Sequence, residues 1–126
     1  MIAVGLGFRK ACEAATLVAL VRRALDEAGP SVRPVVLATV AEKDRPALRE
    51  AAAMLGLPVR ILSKQAMADV EDRLTFRSER VRACLGIPSV AEAAALSAAG
   101  PGARLILPRI AVVDATCAVA ASADEP

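Results

Sequence analysis

Glycine followed closely by proline recurs four times, at Gly29-Pro30, Gly56-Leu57-Pro58, Gly86-Ile87-Pro88 and Gly100-Pro101, each time behind a segment with helical spacing. Glycine can take the left-handed conformation just past a helix end, and proline cannot continue a helix. Four helix terminations are therefore expected. In the first helix Leu17, Leu20, Val21, Ala24, Leu25 and Ala28 repeat at helical spacing, from a start near Cys12, with Arg22, Arg23, Asp26 and Glu27 on the other side. A second helix is expected from near Asp44, with Pro46 tolerated in its first turn, burying Leu48, Ala52 and Leu55. A third helical region, open to a break, lies between Ser63 and Leu85, and a fourth runs from Ser89 to about Ala99.

Strand candidates alternate with these helices: Ile2–Gly5, Val35–Val40, Val59–Leu62, Arg104–Leu107 and a last one near Ala115–Ala121. The first two are continuous apolar runs, as expected of strands covered on both faces. Strand-helix alternation predicts an α/β fold, a single three-layer α/β/α domain over residues 1–121 with a mostly parallel, mixed sheet of about five strands. The last two strands have no helix between them and are expected to pair antiparallel at one side. Residues 122–126 are polar and read as a frayed tail.

Composition narrows the chemistry. The 126 residues include three Cys, two Phe and no His, Tyr or Trp, with a net charge of +2. Without histidine there is no Ser-His-Asp triad or Cys-His pair, and the commonest metal ligand is missing. Cys12, Cys84 and Cys117 are dispersed and outside any CxxC pair, so neither a disulfide framework nor a metal site is expected, and a reducing cytoplasm fits. They read as small core residues. With no basic cluster and few aromatic rings, a nucleic-acid partner is not expected. No run approaches eighteen apolar residues without charges, so no membrane span is expected, and Met1 leads straight into a strand without a signal-peptide layout.

The opening Met1-Ile-Ala-Val-Gly-Leu-Gly-Phe-Arg-Lys-Ala-Cys12 reads as a strand, a tight turn at Gly5 and Gly7, and a helix start with Arg9 and Lys10 beside it. A helix start presents unpaired N–H groups and a partial positive charge, which attract anions. Gly5-Leu6-Gly7 also resembles the start of a dinucleotide fingerprint. Lys10 stands where its third glycine belongs, and no acidic residue closes the second strand. The plainer reading is a tight turn needing small residues, which leaves Arg9 and Lys10 unexplained. Thr39 to Lys43 follows the second strand, on the same sheet edge, where ligands of open α/β sheets bind. Lys43 is placed facing the same crevice as Arg9, or else is a solvated lysine at a helix start. Ser89-Val90-Ala91-Glu92 has the form of a capping box, the serine accepting from the backbone of residue 92 and the glutamate reaching back to residue 89. It is a structural cap or a further anion site. Ser78-Glu79 is another cap or a contact on a loop over the site.

These features in this order resemble the CobE and CbiG C-terminal family of cobalamin biosynthesis over nearly the whole chain. The carriers are Gly5-Leu-Gly-Phe-Arg-Lys10, Leu37-Ala-Thr39 with Lys43 and Pro46-Ala-Leu48, Ala53-Met-Leu-Gly-Leu-Pro58, and Ser78-Glu79. The segment Gly86-Ile-Pro-Ser-Val-Ala-Glu-Ala-Ala-Ala-Leu96 is the most specific, and Leu105-Ile-Leu-Pro108 and Thr116-Cys-Ala-Val-Ala120 close the pattern. In the family loop a Cys usually stands where this chain has Phe8 and a Gly where it has Ala11, so no thiol role is expected there. Arg45 occupies the place of a usual acidic residue.

The resemblance implies a role in building the corrin ring, whose intermediates carry many carboxylates. The leading expectation is a protein that binds a polycarboxylated precorrin-type tetrapyrrole as carrier or auxiliary factor. Its ligand edge would comprise Gly5, Gly7, Arg9, Lys10, Thr39, Lys43, Ser78, Ser89 and Glu92. The alternatives are a hydrolase in which Lys43 or Glu92 assists attack of water on a corrin ring lactone, and a scaffolding subunit for other cobalamin-pathway enzymes. No cofactor is expected, and the sequence assigns no catalytic residue, intermediate or oligomeric state.

Overall fold

The computed structural model describes residues 1–75, 77, 79 and 89–124. Five strands form one mixed sheet: β1 (Ile2–Phe8), β2 (Pro34–Val40), β3 (Val59–Leu62), β4 (Arg104–Ala111) and β5 (Ala115–Ala121), in the order β3-β2-β1-β5-β4. β1, β2 and β3 run parallel, while β5 is antiparallel to both β1 and β4. The final hairpin thus folds back so that its second strand joins β1 and its first becomes the edge. Pro108 sits in that edge strand, where a missing N–H costs no ladder bond and discourages further pairing.

Among the described residues the α-helices are α1 (Ala14–Ala28), α2 (Pro46–Leu55), α3 (Lys64–Ala68) and α4 (Val90–Ala99). None is long and apolar enough to cross a membrane. The three-layer arrangement follows from strict alternation along β1. Ile2, Val4, Leu6 and Phe8 face a core with Leu17, Val21 and Leu48 of α1 and α2. Ala3 belongs to the opposite core, with Val36, Val40, Met67 and the alanines of α4. Helix ends at Gly29, Gly56 and Gly100 have φ of 121°, 70° and 98°, as the glycine-proline pattern predicts. At Gly56 the chain also closes the Ala52 carbonyl with the Leu57 N–H at 3.0 Å, a Schellman-type ending. The fourth termination, at Gly86-Pro88, lies outside the described residues, as does Cys84.

Two expectations need correction. β1 continues through Phe8, so Gly5 and Gly7 lie inside a buried strand and not in a turn. The reason is packing. A Cβ on Gly5 would fall 1.9 Å from the Ala91 carbonyl oxygen and 2.6 Å from the Ala95 nitrogen, so the α4 backbone rests directly on β1 there. Ser122, expected to begin a frayed tail, is held: its N–H donates to the Met1 carbonyl at 2.9 Å, and its Oγ accepts from the Met1 ammonium at 2.6 Å.

Candidate functional site

The site is defined by where β1 and β2 part. Their ladder runs as far as Gly5 opposite Ala38, while on its other flank β1 stays paired with β5 out to Phe8. The carbonyls of Leu6 and Phe8 on the β2 flank therefore need other donors. Thr39, fully buried, donates its hydroxyl to the Leu6 carbonyl at 2.7 Å. Lys43 Nζ donates to the Phe8 carbonyl at 2.7 Å, and an Arg45 guanidinium nitrogen does so at 3.3 Å. The Arg45 guanidinium also stands 5.7 Å from the centroid of the Phe8 ring, within cation–π range.

Local sequence explains this convergence. After β2 the chain makes a single 3₁₀ turn, Ala41–Lys43, and Asp44 and Arg45 are extended before Pro46 opens α2. Extended backbone is what the residue before proline prefers. The strand-turn-proline sequence thus throws both cations back across the end of β1. Asp44 pairs instead with Arg49 through two 2.9 Å bonds, which hold its carboxyl below the usual range. Glu42 is lowered likewise by its bond to Lys64, 2.8 Å away.

Arg9 and Lys10 follow Phe8 directly. Both are exposed and, among the described residues, carry no side-chain hydrogen bond or ion pair. The Arg9 N–H donates to the Asp114 carbonyl at 2.9 Å, fixing the loop against the β4–β5 hairpin. α1 begins at Ala14, two residues later than the Cys12 expected, and its N-cap Glu13 makes no side-chain cap bond. Cys12 is buried here, and burial, then Asp114, then Glu13 push its thiol up. Lys43 therefore does reach the Arg9 loop, and Arg45, which sequence reasoning passed over as a site residue, joins it. The signals for Arg45 in the sequence were its place immediately before Pro46 and its replacement of the family's usual acidic residue.

The other expected members lie elsewhere. Gly5 and Gly7 seat α4 and are covered by it, Gly7 lying against Val90 and Thr116. Thr39 closes the sheet rather than facing a crevice. Ser89 and Glu92 are 4% and 0% exposed. Ser89 does cap α4, its Oγ accepting from the Glu92 N–H at 3.4 Å. The Glu92 carboxylate also reaches beyond its own helix. Among the described residues its partners are Thr75, through N–H at 2.7 Å and hydroxyl at 2.5 Å, and the Arg109 N–H at 3.0 Å. It ties α4 to β4 and to the segment after α3. Ser78 lies outside the described residues.

Among the described residues no cluster of three or more His, Cys, Asp or Glu could hold a metal. Cys117 is buried in the sheet, where desolvation pushes its thiol up to about 12. A cavity of about 240 Å³ lies at the far end of α4, between Asp69 and Arg73 on one side and Ser97 and Pro101 on the other. That is below the roughly 300–1,000 Å³ of ordinary ligand pockets, and none of the expected site residues lines it.

Comparison with known proteins bears on this geometry. The family model described as cobalamin synthesis G C-terminus matches residues 2–120. The chain is 35% identical to protein CobE of a Sinorhizobium species over 97% of this chain and 80% of that one. It superposes on the crystal structure of CobE, a protein from the cobalamin (vitamin B12) biosynthetic pathway. The TM-score is 0.88 and the identity 36%, covering 95% of this chain and 89% of the other. Cobalamin biosynthesis protein chiG from Agrobacterium tumefaciens matches at TM-score 0.76 and 34% identity, over 98% and 100% of the two chains.

Proposed function

From the premise that the chain belongs to the cobalamin synthesis G C-terminal family, we propose that it binds a polycarboxylated precorrin-type tetrapyrrole at the carboxyl end of β1, as carrier or auxiliary factor. One observation carries this reading. Lys43 and Arg45 converge on the Phe8 carbonyl at 2.7 and 3.3 Å, and the next two residues, Arg9 and Lys10, are exposed cations. Four positive groups are gathered by two segments at one sheet edge, in a chain whose net charge is only +2. Such a concentration suits a ligand bearing several carboxylates. Arg supplies planar two-bond contacts and Lys supplies point charges. Lys43 and Arg45 act first as positioning residues, holding the end of β1 and hence the Arg9 loop.

The roles divide accordingly. Arg9 and Lys10 contact ligand carboxylates. Gly5, Gly7, Thr39, Ser89 and Glu92 support the edge without touching the ligand. Association with other cobalamin-pathway proteins remains a further expectation from family membership. The test is a titration of corrin-pathway intermediates with the protein, followed through the visible absorption of the tetrapyrrole. Saturable binding that weakens as salt rises from 0.05 to 0.5 M is expected, because exposed charge pairs are screened over about 10 Å at 0.1 M. Absence of binding, or binding indifferent to salt, contradicts the reading.

A further inference from the structure

The turn joining β4 to β5 breaks a local rule. Residues 112–114 are Val-Val-Asp, with the Val112 N–H donating to the Ala115 carbonyl at 2.9 Å. Tight turns favour Gly, Asn, Asp and Ser, whereas valine is stiff and prefers strands. Yet Val113 is 85% exposed and Val112 39%. The other large exposed apolar residues among those described, Val35 and Met54, sit at the start of β2 and the end of α2, at the opposite edge of the sheet. The valine tip is held at the cationic edge by the 2.9 Å bond from the Arg9 N–H to the Asp114 carbonyl. The Asp114 and Glu13 carboxylates lie close enough to Cys12 to raise its thiol, after burial.

An apolar projection beside Arg9 and Lys10 is complementary to one class of ligand: a broad apolar ring with carboxylates on its rim. We infer that the Val112-Val113 tip is the second half of the binding edge, packing against the macrocycle while Arg9 and Lys10 take the carboxylates. It selects a ring-bearing polycarboxylate over a compact one. This inference rests on the tetrapyrrole reading above and adds the residues that give it ring specificity. Violations of local preference are expected where function, not folding, set the residue. Burying one valine side chain is worth enough to change affinity severalfold.

The test compares two probes on the full chain. Uroporphyrin I carries eight carboxylates on an apolar macrocycle, and benzenehexacarboxylate carries six on one small ring. Val113→Ser should weaken uroporphyrin roughly 5–20-fold and leave benzenehexacarboxylate within about twofold. Arg9→Ala should weaken both, and Val113→Leu should retain uroporphyrin affinity. If Val113→Ser binds uroporphyrin like the parent while Arg9→Ala does not, the tip is not part of the site and the cationic edge stands alone. If Val113→Ser weakens both probes equally, the tip acts on the loop and not on the ring, which overturns the inference. If the parent chain binds uroporphyrin not at all, the tetrapyrrole reading fails and the inference with it.

Discussion

At the start of α4, Ser89 accepts from the first turn, and Glu92 is buried beneath bonds from Thr75 and Arg109. At the start of α1, Glu13 caps nothing, and Arg9 and Lys10 stand in the open loop before it. Both are N-termini of helices packed on the sheet, α4 on β1 and α1 on β5, and both carry the same partial positive charge. They differ in what satisfies it. An internal carboxylate and a serine answer the α4 start, so that end has become a joint between layers. Around the α1 start the carboxylates of Glu13 and Asp114 lie near Cys12. Cations are added there as well, from the loop after β1 and from the turn before α2, and under the proposed function that positive field serves an outside ligand.

The contrast can be attacked from the side of α4 first, where the effects are largest. Gly5→Ala adds one methyl group, yet that methyl meets helix backbone at 1.9 Å, which no rotamer change relieves. Overpacking of this kind costs upward of about 3 kcal/mol, read as a drop in the denaturant midpoint. A variant as stable as the parent would mean that α4 is not seated on β1. Gly7→Ala is the milder companion, because its nearest atom is the Thr116 hydroxyl at 2.9 Å, which can turn away. Next comes Glu92→Ala, which leaves the Thr75 and Arg109 N–H groups without their acceptor. A loss of about 2–4 kcal/mol is expected in chemical unfolding. Glu92→Gln should lose less, since one oxygen remains to accept. Unchanged stability in both would contradict the role of Glu92 as a strap.

Much of this fold was legible in the residues. Apolar runs marked β1 and β2, and glycine with proline marked where α1, α2 and α4 stop. The order of the segments implied three layers, and the missing final crossover helix implied the antiparallel hairpin. What misled was chemistry that the sequence does not resolve. Gly5-Leu6-Gly7 suits a turn and a close helix contact equally well, and only the position of Ala91 distinguishes them. Ser89 and Glu92 have the spacing of a capping box and Ser89 does cap the helix, but nothing local announces that the Glu92 carboxylate also takes bonds from Thr75 and Arg109. Arg45 and Lys43 are turned back by the local strand-turn-proline sequence, but that they meet at Phe8 depends on the parting of β1 and β2, a long-range fact.

Smaller changes sharpen the comparison of the two helix starts. Ser89→Ala should cost about 1 kcal/mol through the lost cap, whereas Glu13→Ala should change stability by less than about 0.5 kcal/mol because no cap bond is lost. Glu13→Ser should even stabilise, by about 0.5–1 kcal/mol, if a serine can cap there. Thermal or denaturant unfolding of the three variants checks the set, and equal effects at both positions would erase the distinction.

The smallest expected effect is chemical. A thiol near a helix start ordinarily ionises easily, but burial, Asp114 and Glu13 push Cys12 above the ordinary thiol range. A raised folded value favours the neutral thiol, so its contribution to stability is present below about pH 9 and fades as pH rises beyond. Alkylation of Cys12 at pH 8, located by peptide mapping, should be slower in the folded protein than in the unfolded chain. Faster labelling would mean that the helix field prevails over the carboxylates.

The most direct measurement sets binding against folding in a single variant. Arg9→Ala should weaken binding of a polycarboxylated tetrapyrrole roughly 10–150-fold, the equivalent of about 1.5–3 kcal/mol for a charge-assisted contact. Its unfolding free energy should stay within about 0.5 kcal/mol of the parent. Arg9→Lys should recover part of the affinity, since charge survives and the planar fork does not. An alanine variant that binds as the parent does but unfolds more easily would make Arg9 a structural residue and contradict the open cationic edge at its centre.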